Sequence, residues 1–155
     1  MDPRKLETVA GWEPPKNIKG VRRFLGFTGF YRHFVKGYSE IVRPLLTLTR
    51  KAATWHWGAK QEEAFQELKT RMCTGPILRQ PNFDKRFFVQ TDTSSHGIGA
   101  ILSQEGENDA DLALIKGTMP KLHPVAFYSA TFTSTQQKYD IYEKELLAVV
   151  KSLEH

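Results

Sequence analysis

Three β-type runs followed by a helix constrain this chain more than any other feature. The runs are Phe87–Thr93, Gly97–Ser103 and Pro124–Ser129, and the helix carries Tyr142-Glu143-Lys144-Glu145-Leu146-Leu147-Ala148. Ser94-Ser95-His96-Gly97 is a turn-rich set that joins the first two runs in a tight hairpin. Gly97 and Gly99 lie in or beside the second run and predict a bulge or a close backbone approach. This order puts Asp92, at a strand end, within reach of a helical glutamate. Half of a carboxylate-held two-metal site is built that way, and Mg²⁺ prefers such hard oxygen ligands.

The rest of the chain is different in kind. Residues 3–12 read as a short helix with Pro3 in its first turn, and Pro14-Pro15 ends it. Asn17 is placed to cap a second helix. There Ile18, Val21, Phe24 and Leu25 recur at helical spacing, while Lys19, Arg22 and Arg23 fall on the other side. Gly26 and Gly29 follow, where a bulky side chain would block close packing or a bend. Phe27, Phe30, Tyr31 and Phe34 are interleaved with Arg32, His33 and Lys36, a mixture that can stack on bases and hold phosphates. Phe24, Phe27 and Phe30 are expected in the core, and Arg32 and Lys36, one turn apart, on the surface.

Ser39 is expected to cap a third helix with Ile41, Leu45 and Leu48 as its stripe. Trp55-His56-Trp57 precedes a further helix, in which Ala64, Phe65, Leu68 and Met72 keep the i, i+4 rhythm. Gly75-Pro76 stops it. Residues 1–82 therefore predict a small helical bundle, with a connector from Pro76 to Arg86. Glu105–Lys121 is polar and aperiodic and reads as a surface loop. Asp140 and Glu143 have capping-box spacing, as do Thr133 and Gln136. Tyr142, Leu146, Val149 and Leu153 read as the core face of the last helix.

Charge divides the chain in the same place. Residues 1–82 hold 15 Lys/Arg against 7 Asp/Glu, a net +8, and residues 83–155 hold 7 against 10, a net −3. The basic half suits phosphates and the acidic half divalent cations. Cys73 is the single cysteine, which excludes an internal disulfide and a cysteine-clustered zinc site. No apolar run approaches the roughly 18 residues of a membrane span, and the start has no apolar signal core. An intracellular setting, cytoplasm or nucleus, is expected.

Several stretches resemble the Pol polyprotein of gypsy-type LTR retrotransposons, in the family's order. Val21-Arg22-Arg23-Phe24-Leu25-Gly26-Phe27 with Tyr31-Arg32-His33-Phe34 is similar to the region just after the reverse transcriptase palm. Pro44–Thr49, the Trp55–Trp57 cluster, and Pro76-Ile77-Leu78 with Pro81 and Phe83 follow. Thr91-Asp92-Thr93-Ser94 with Gly97-Ile98-Gly99-Ala100 resembles the first hairpin of its ribonuclease H domain. His123–Phe127 and Tyr142–Ala148 resemble that domain's third strand and first helix.

The resemblance implies an α+β fold: a thumb/connection-like helical bundle over 1–82, then over 83–155 the first part of an RNase H-like unit, three antiparallel strands and one helix. It implies RNA-directed DNA synthesis and Mg²⁺- or Mn²⁺-dependent cleavage of RNA in RNA–DNA hybrids for the parent protein. It implies Asp92 and Glu145 as metal ligands and catalytic residues, with Glu143 the competitor of Glu145. The partners implied are an RNA–DNA hybrid or primer–template duplex, contacted by Lys19, Arg22, Arg23, Arg32 and Lys36, and the rest of the polyprotein. No membrane partner is implied. The family's paired polymerase aspartates and later nuclease aspartates have no match in these 155 residues. The chain is thus expected to be a fragment, inactive alone. The alternative is a non-catalytic nucleic-acid-binding relic.

Overall fold

A computed structural model describes residues 3–51, 53–75, 78–106 and 120–155. It divides into two compact units, Met1–Gly75 and Pro76–His155. The first is helical: α1 (Pro3–Ala10), α2 (Ile18–Phe30), a 3₁₀ turn (Arg32–Phe34), α3 (Tyr38–Ile41), α4 (Arg43–Thr47) and α5 (Ala59–Thr74). The second holds β1 (Phe88–Thr93), β2 (Gly97–Glu105), β3 (Leu122–Thr131), a 3₁₀ turn (Gln136–Lys138) and α6 (Ile141–Leu153). The division falls before residue 82. Asn82 is tied into the second unit: its backbone N–H donates to Gln104 Oε1 at 2.9 Å, and Gln104 Nε2 donates to its carbonyl at 2.7 Å.

In the helical unit the apolar periods converge. Val21 and Phe24 of α2, Leu45 of α4, and Phe65 and Leu68 of α5 are fully buried, with Val9 and Val35 beside them. Phe24 and Phe65 meet at 4.7 Å between ring centroids. Asn17 caps α2, its side chain accepting from the Gly20 N–H at 2.9 Å. Thr28, also buried, donates to the Phe24 carbonyl at 3.0 Å and lies 3.0 Å from the Tyr38 hydroxyl, so its polar atom has partners. Burial pushes the Tyr38 pKa up, against the opposing pull of the Thr28 bond and the Arg32 charge. Gln66 and the Trp57 indole both donate to Glu62, at 2.9 and 2.7 Å, and hold its carboxyl below the usual range. That contribution to stability is present above the unfolded-state pKa and is lost as pH falls through the lowered folded value. Solvent screens it.

Four local expectations are corrected. Gly37, with φ of +70°, precedes α3 where Ser39 was expected to cap. The Ile41–Leu48 stripe is split, because Pro44 sits in the first turn of a new helix. A Cβ on Gly26 would meet nothing within 4 Å, and one on Gly29 only the Tyr38 hydroxyl at 3.5 Å, so neither glycine is required for packing. Phe30, expected in the core, is 77% exposed. It is the last residue of α2, and the chain turns away there instead of adding a covering element.

The second unit is an antiparallel meander in the order β1-β2-β3. Thr91 pairs with Ala100, Asp92 with Gly99 and Thr93 with Ile98, and a register shift interrupts β2–β3 at Leu102/Ser103. At Gly97 the backbones approach so closely that a Cβ would lie 2.4 Å from the Ala130 carbonyl oxygen. The expected loop at 105–121 falls mostly outside the described residues; Glu105 itself belongs to β2.

Both capping boxes form. Asp140 and Glu143 exchange backbone-to-carboxylate bonds of 2.8 and 3.0 Å; the Thr133 N–H donates to Gln136 Oε1 at 3.0 Å and the Gln136 N–H to the Thr133 hydroxyl at 3.3 Å. The inner face of α6 is another matter. Ala148 is fully buried with Ile98 and Phe132, and Leu147 and Tyr128 pack against them. Tyr142, Leu146, Val149 and Leu153 are exposed, at 77%, 66%, 42% and 70%. Helical spacing finds an apolar stripe but does not tell which side the sheet takes, and small Ala148 lets the helix approach closest. Leu146→Lys should therefore change the chain's unfolding free energy by no more than about 0.5 kcal/mol in a denaturant titration. A buried position would lose several times that.

Candidate functional site

The carboxylate candidates come from two packed elements. In a strand, alternate residues face opposite sides, and directly opposed residues share one side. Thr91 and Thr93 therefore share a face with Ala100 and Ile98, and Ile98 lies with Ala148 of α6. Asp92 falls on the other face beside Gly99 and is exposed. A Cβ at Gly99 would meet only the Asp92 carbonyl, at 4.0 Å, so the space beside Asp92 is open. The turn that follows is capped by Ser94, not by Asp92. Ser94 Oγ accepts from the His96 and Gly97 N–H groups, both at 3.2 Å.

On the helix, α6 packs mainly along β1. Glu143 is engaged in the capping box, and Glu145 is exposed one half-turn further on. Among the described residues no three His, Cys, Asp or Glu side chains come together as a metal-holding group. Asp92 and Glu145 are hard donors of the right kind for Mg²⁺, which is bound by one or two carboxylates plus substrate phosphates and water. They are too few for a two-metal site.

The cationic candidates lie in the helical unit. Lys19, Arg22 and Arg23 are exposed on α2, and Arg32 and Lys36 are exposed in the segment after it. Arg23 stacks over the Trp12 ring, 5.6 Å from its centroid, and Arg22 Nη2 donates to the Thr49 carbonyl at 3.5 Å. Trp12, Phe27, Tyr31 and Phe30 continue from Arg23 in a run of ring contacts of 5.0 to 5.4 Å. The sequence interleaves cations and aromatics here, and the surface does too. Phe30 was missed as a surface ring because its spacing from Phe24 and Phe27 matches the buried stripe.

The profile of the RNase H-like domain found in reverse transcriptase matches residues 57–155. The chain belongs to that family. The reverse transcriptase RNase H-like match begins within the helical unit, ahead of α5. Among curated relatives, the Transposon Tf2-3 polyprotein of Schizosaccharomyces pombe is 35% identical over 150 residues, which is 97% of this chain. The Tf2-4 polyprotein of the same organism matches equally. The chain spans 10% of the length of these relatives.

Among solved structures, the foamy viral protease-reverse transcriptase dRH in complex with double-stranded DNA superposes with a TM-score of 0.79 at 22% identity, over 99% of this chain and 25% of that one. The foamy viral protease-reverse transcriptase in complex with an RNA/DNA hybrid gives 0.76 over 99% of this chain and 19% of that one. The mixed fold of helices and a three-stranded antiparallel sheet is thus that of a reverse transcriptase segment. RNase H-like domains of reverse transcriptases generally use divalent metals.

Proposed function

We propose that this chain is the part of a retrotransposon reverse transcriptase that holds an RNA–DNA hybrid or primer–template duplex and contributes Asp92 and Glu145 to a Mg²⁺-dependent ribonuclease H site. Family membership carries the reading, and both carboxylates are exposed: Asp92 on the sheet face turned away from α6, and Glu145 on α6 itself. The capping role of Glu143 supports Glu145 as the ligand. The exposed cations Lys19, Arg22, Arg23, Arg32 and Lys36 support phosphate contact by the helical unit. Its place is inside the cell, with the rest of the polyprotein as its partner. With two carboxylates against the larger set a two-metal centre uses, the expectation for these 155 residues alone is hybrid binding without robust cleavage.

A labelled RNA–DNA hybrid incubated with the chain and Mg²⁺ or Mn²⁺, beside Asp92→Asn and Glu145→Gln, tests this. Retardation without cutting is the expected result. Cutting that both variants abolish would mean that further carboxylates are supplied, by a second copy for example, and that the chain is itself a nuclease. The interface is tested on the same gel with Lys19→Glu/Lys36→Glu, which leaves the Arg23–Trp12 and Arg22–Thr49 contacts in place. The salt dependence of duplex affinity should flatten by about 2 in slope if each lysine meets one phosphate. An unchanged slope would remove the helical unit from the interface.

A further inference from the structure

The segment before β1 reads from sequence as a connector, yet it is built like a presentation loop. Gln104 is 3% exposed, and its side-chain amide is bonded to this loop at both ends: it accepts from the Asn82 N–H at 2.9 Å and donates to the carbonyls of Asn82 at 2.7 Å and Lys85 at 3.4 Å. Asn82 closes the turn from inside. Its Oδ1 accepts from the Asp84 N–H at 3.0 Å, and its carbonyl accepts from the Lys85 N–H at 3.1 Å. Upstream, the Arg79 N–H donates to the Pro124 carbonyl of β3 at 2.9 Å. A buried amide bonded at both ends holds the backbone of residues 82–85 in one arrangement.

What the held turn displays is Phe83, 83% exposed, the most exposed large apolar side chain in the described residues. Phe87 stands beside it at 6.0 Å between ring centroids. Nearby in the chain are Arg79, Lys85 and Arg86 against Asp84, a local net charge of +2, whereas the second unit, residues 76–155, holds 8 Lys/Arg against 10 Asp/Glu, a net −2. An exposed aromatic ring on a held backbone, with cations near it in the chain, matches the needs of single-stranded nucleic acid: a π-face for an unpaired base and positive charge for its phosphates.

We propose that the Gln104-held loop is a single-strand subsite in which Phe83 stacks on an unpaired base and Lys85 and Arg86 meet the adjoining phosphates. The subsite rests on the reading of the chain as a nucleic-acid binder and extends it from duplex to strand. Phe87 precedes Asp92 by five strand positions, about 17 Å at the usual rise. A strand leaving a hybrid held near Asp92 can therefore pass over the loop.

The test is the affinity of the full chain for a fluorescein-labelled single-stranded RNA and for the same RNA in a blunt RNA–DNA hybrid, by anisotropy. Phe83→Ala should weaken single-strand binding about tenfold or more and leave the blunt hybrid within about twofold. Phe83→Trp should restore the single-strand affinity, which a merely folded-state role for Phe83 would not require. Lys85→Ala/Arg86→Ala should flatten the salt dependence on the single strand by about 1.4 in slope. Equal loss on both probes, or no loss on either, overturns the subsite while hybrid binding by the parent chain keeps the functional reading. Absence of any binding by the parent chain overturns both. Loss of an interaction with another protein in place of RNA would reassign the loop to a protein partner and overturn the proposal as well.

Discussion

Phe65→Ala should cost the helical unit about 3–5 kcal/mol. Phe65 is fully buried on α5 and sits where the unit's contacts cross. Its ring lies 4.7 Å from Phe24 of α2 and 5.9 Å from Trp57, and the Lys69 ammonium stands 5.2 Å from its centroid. Removing it leaves a cavity whose walls come from different elements, each fixed by its own neighbours. Collapse is then incomplete, and the loss sits at the upper end of the usual range. All three tryptophans, Trp12, Trp55 and Trp57, belong to this unit, so their emission in a urea titration follows its unfolding directly. A midpoint close to that of the parent chain would contradict the packing described here.

Gly97→Ala should destabilise the sheet by about 2–4 kcal/mol, although alanine adds one methyl group. The new Cβ would lie 2.4 Å from the Ala130 carbonyl oxygen, and 3.3 Å from both the Ala130 carbonyl carbon and the Thr131 Cα. All three are backbone atoms of β3, so no side chain can swing aside. The hairpin cannot easily yield either. The Gly97 N–H is bound by Ser94 Oγ at 3.2 Å, its carbonyl accepts from the Ser94 N–H at 2.9 Å, and the Phe132 N–H donates to the His96 carbonyl at 2.8 Å. Relief requires β2 and β3 to part at this end, next to the Ile98–Phe132–Ala148 cluster. Amide exchange should show it as faster exchange at Ser94 and Phe132 than at the far end of β2. Protection like that of the parent chain would mean the strands have room that the geometry denies them.

Much of this was legible in the chain itself. The buried stripe Ala64, Phe65, Leu68 and Met72 obeys helical spacing because a long helix against a core leaves no other choice. The Asn17 cap and the two capping boxes were readable for a similar reason: the partners are three residues apart, and such bonds depend on local backbone alone. Gly97 was marked as a place of close approach, though the neighbour it avoids, Ala130, is 33 positions away and could not be named.

A linear chain is silent wherever an arrangement depends on what lies opposite. The two apolar sides of α6 read alike, and Ala148 gives a weaker signal than Leu146, yet the sheet packs on Ala148. Phe30 keeps the rhythm of Phe24 and Phe27 but stands where nothing covers it. Residues 76–86 have neither period nor caps and read as a passive connector. The side chain of Gln104, 22 positions from Asn82, ties the turn at residues 82–85 to the sheet.

By itself the sequence determined the longer helices, the three strands, the Asn17 cap and the two capping boxes, and the order that marks the reverse transcriptase RNase H-like family. These follow from period, local hydrogen bonding and motif order, which a linear chain carries in full. The tertiary structure decided which face of α6 is inside, on which side of the sheet Asp92 stands, and that Phe83 is displayed. Each of those depends on contacts between distant residues, where burial and the pleat of paired strands choose among arrangements that the sequence leaves equal.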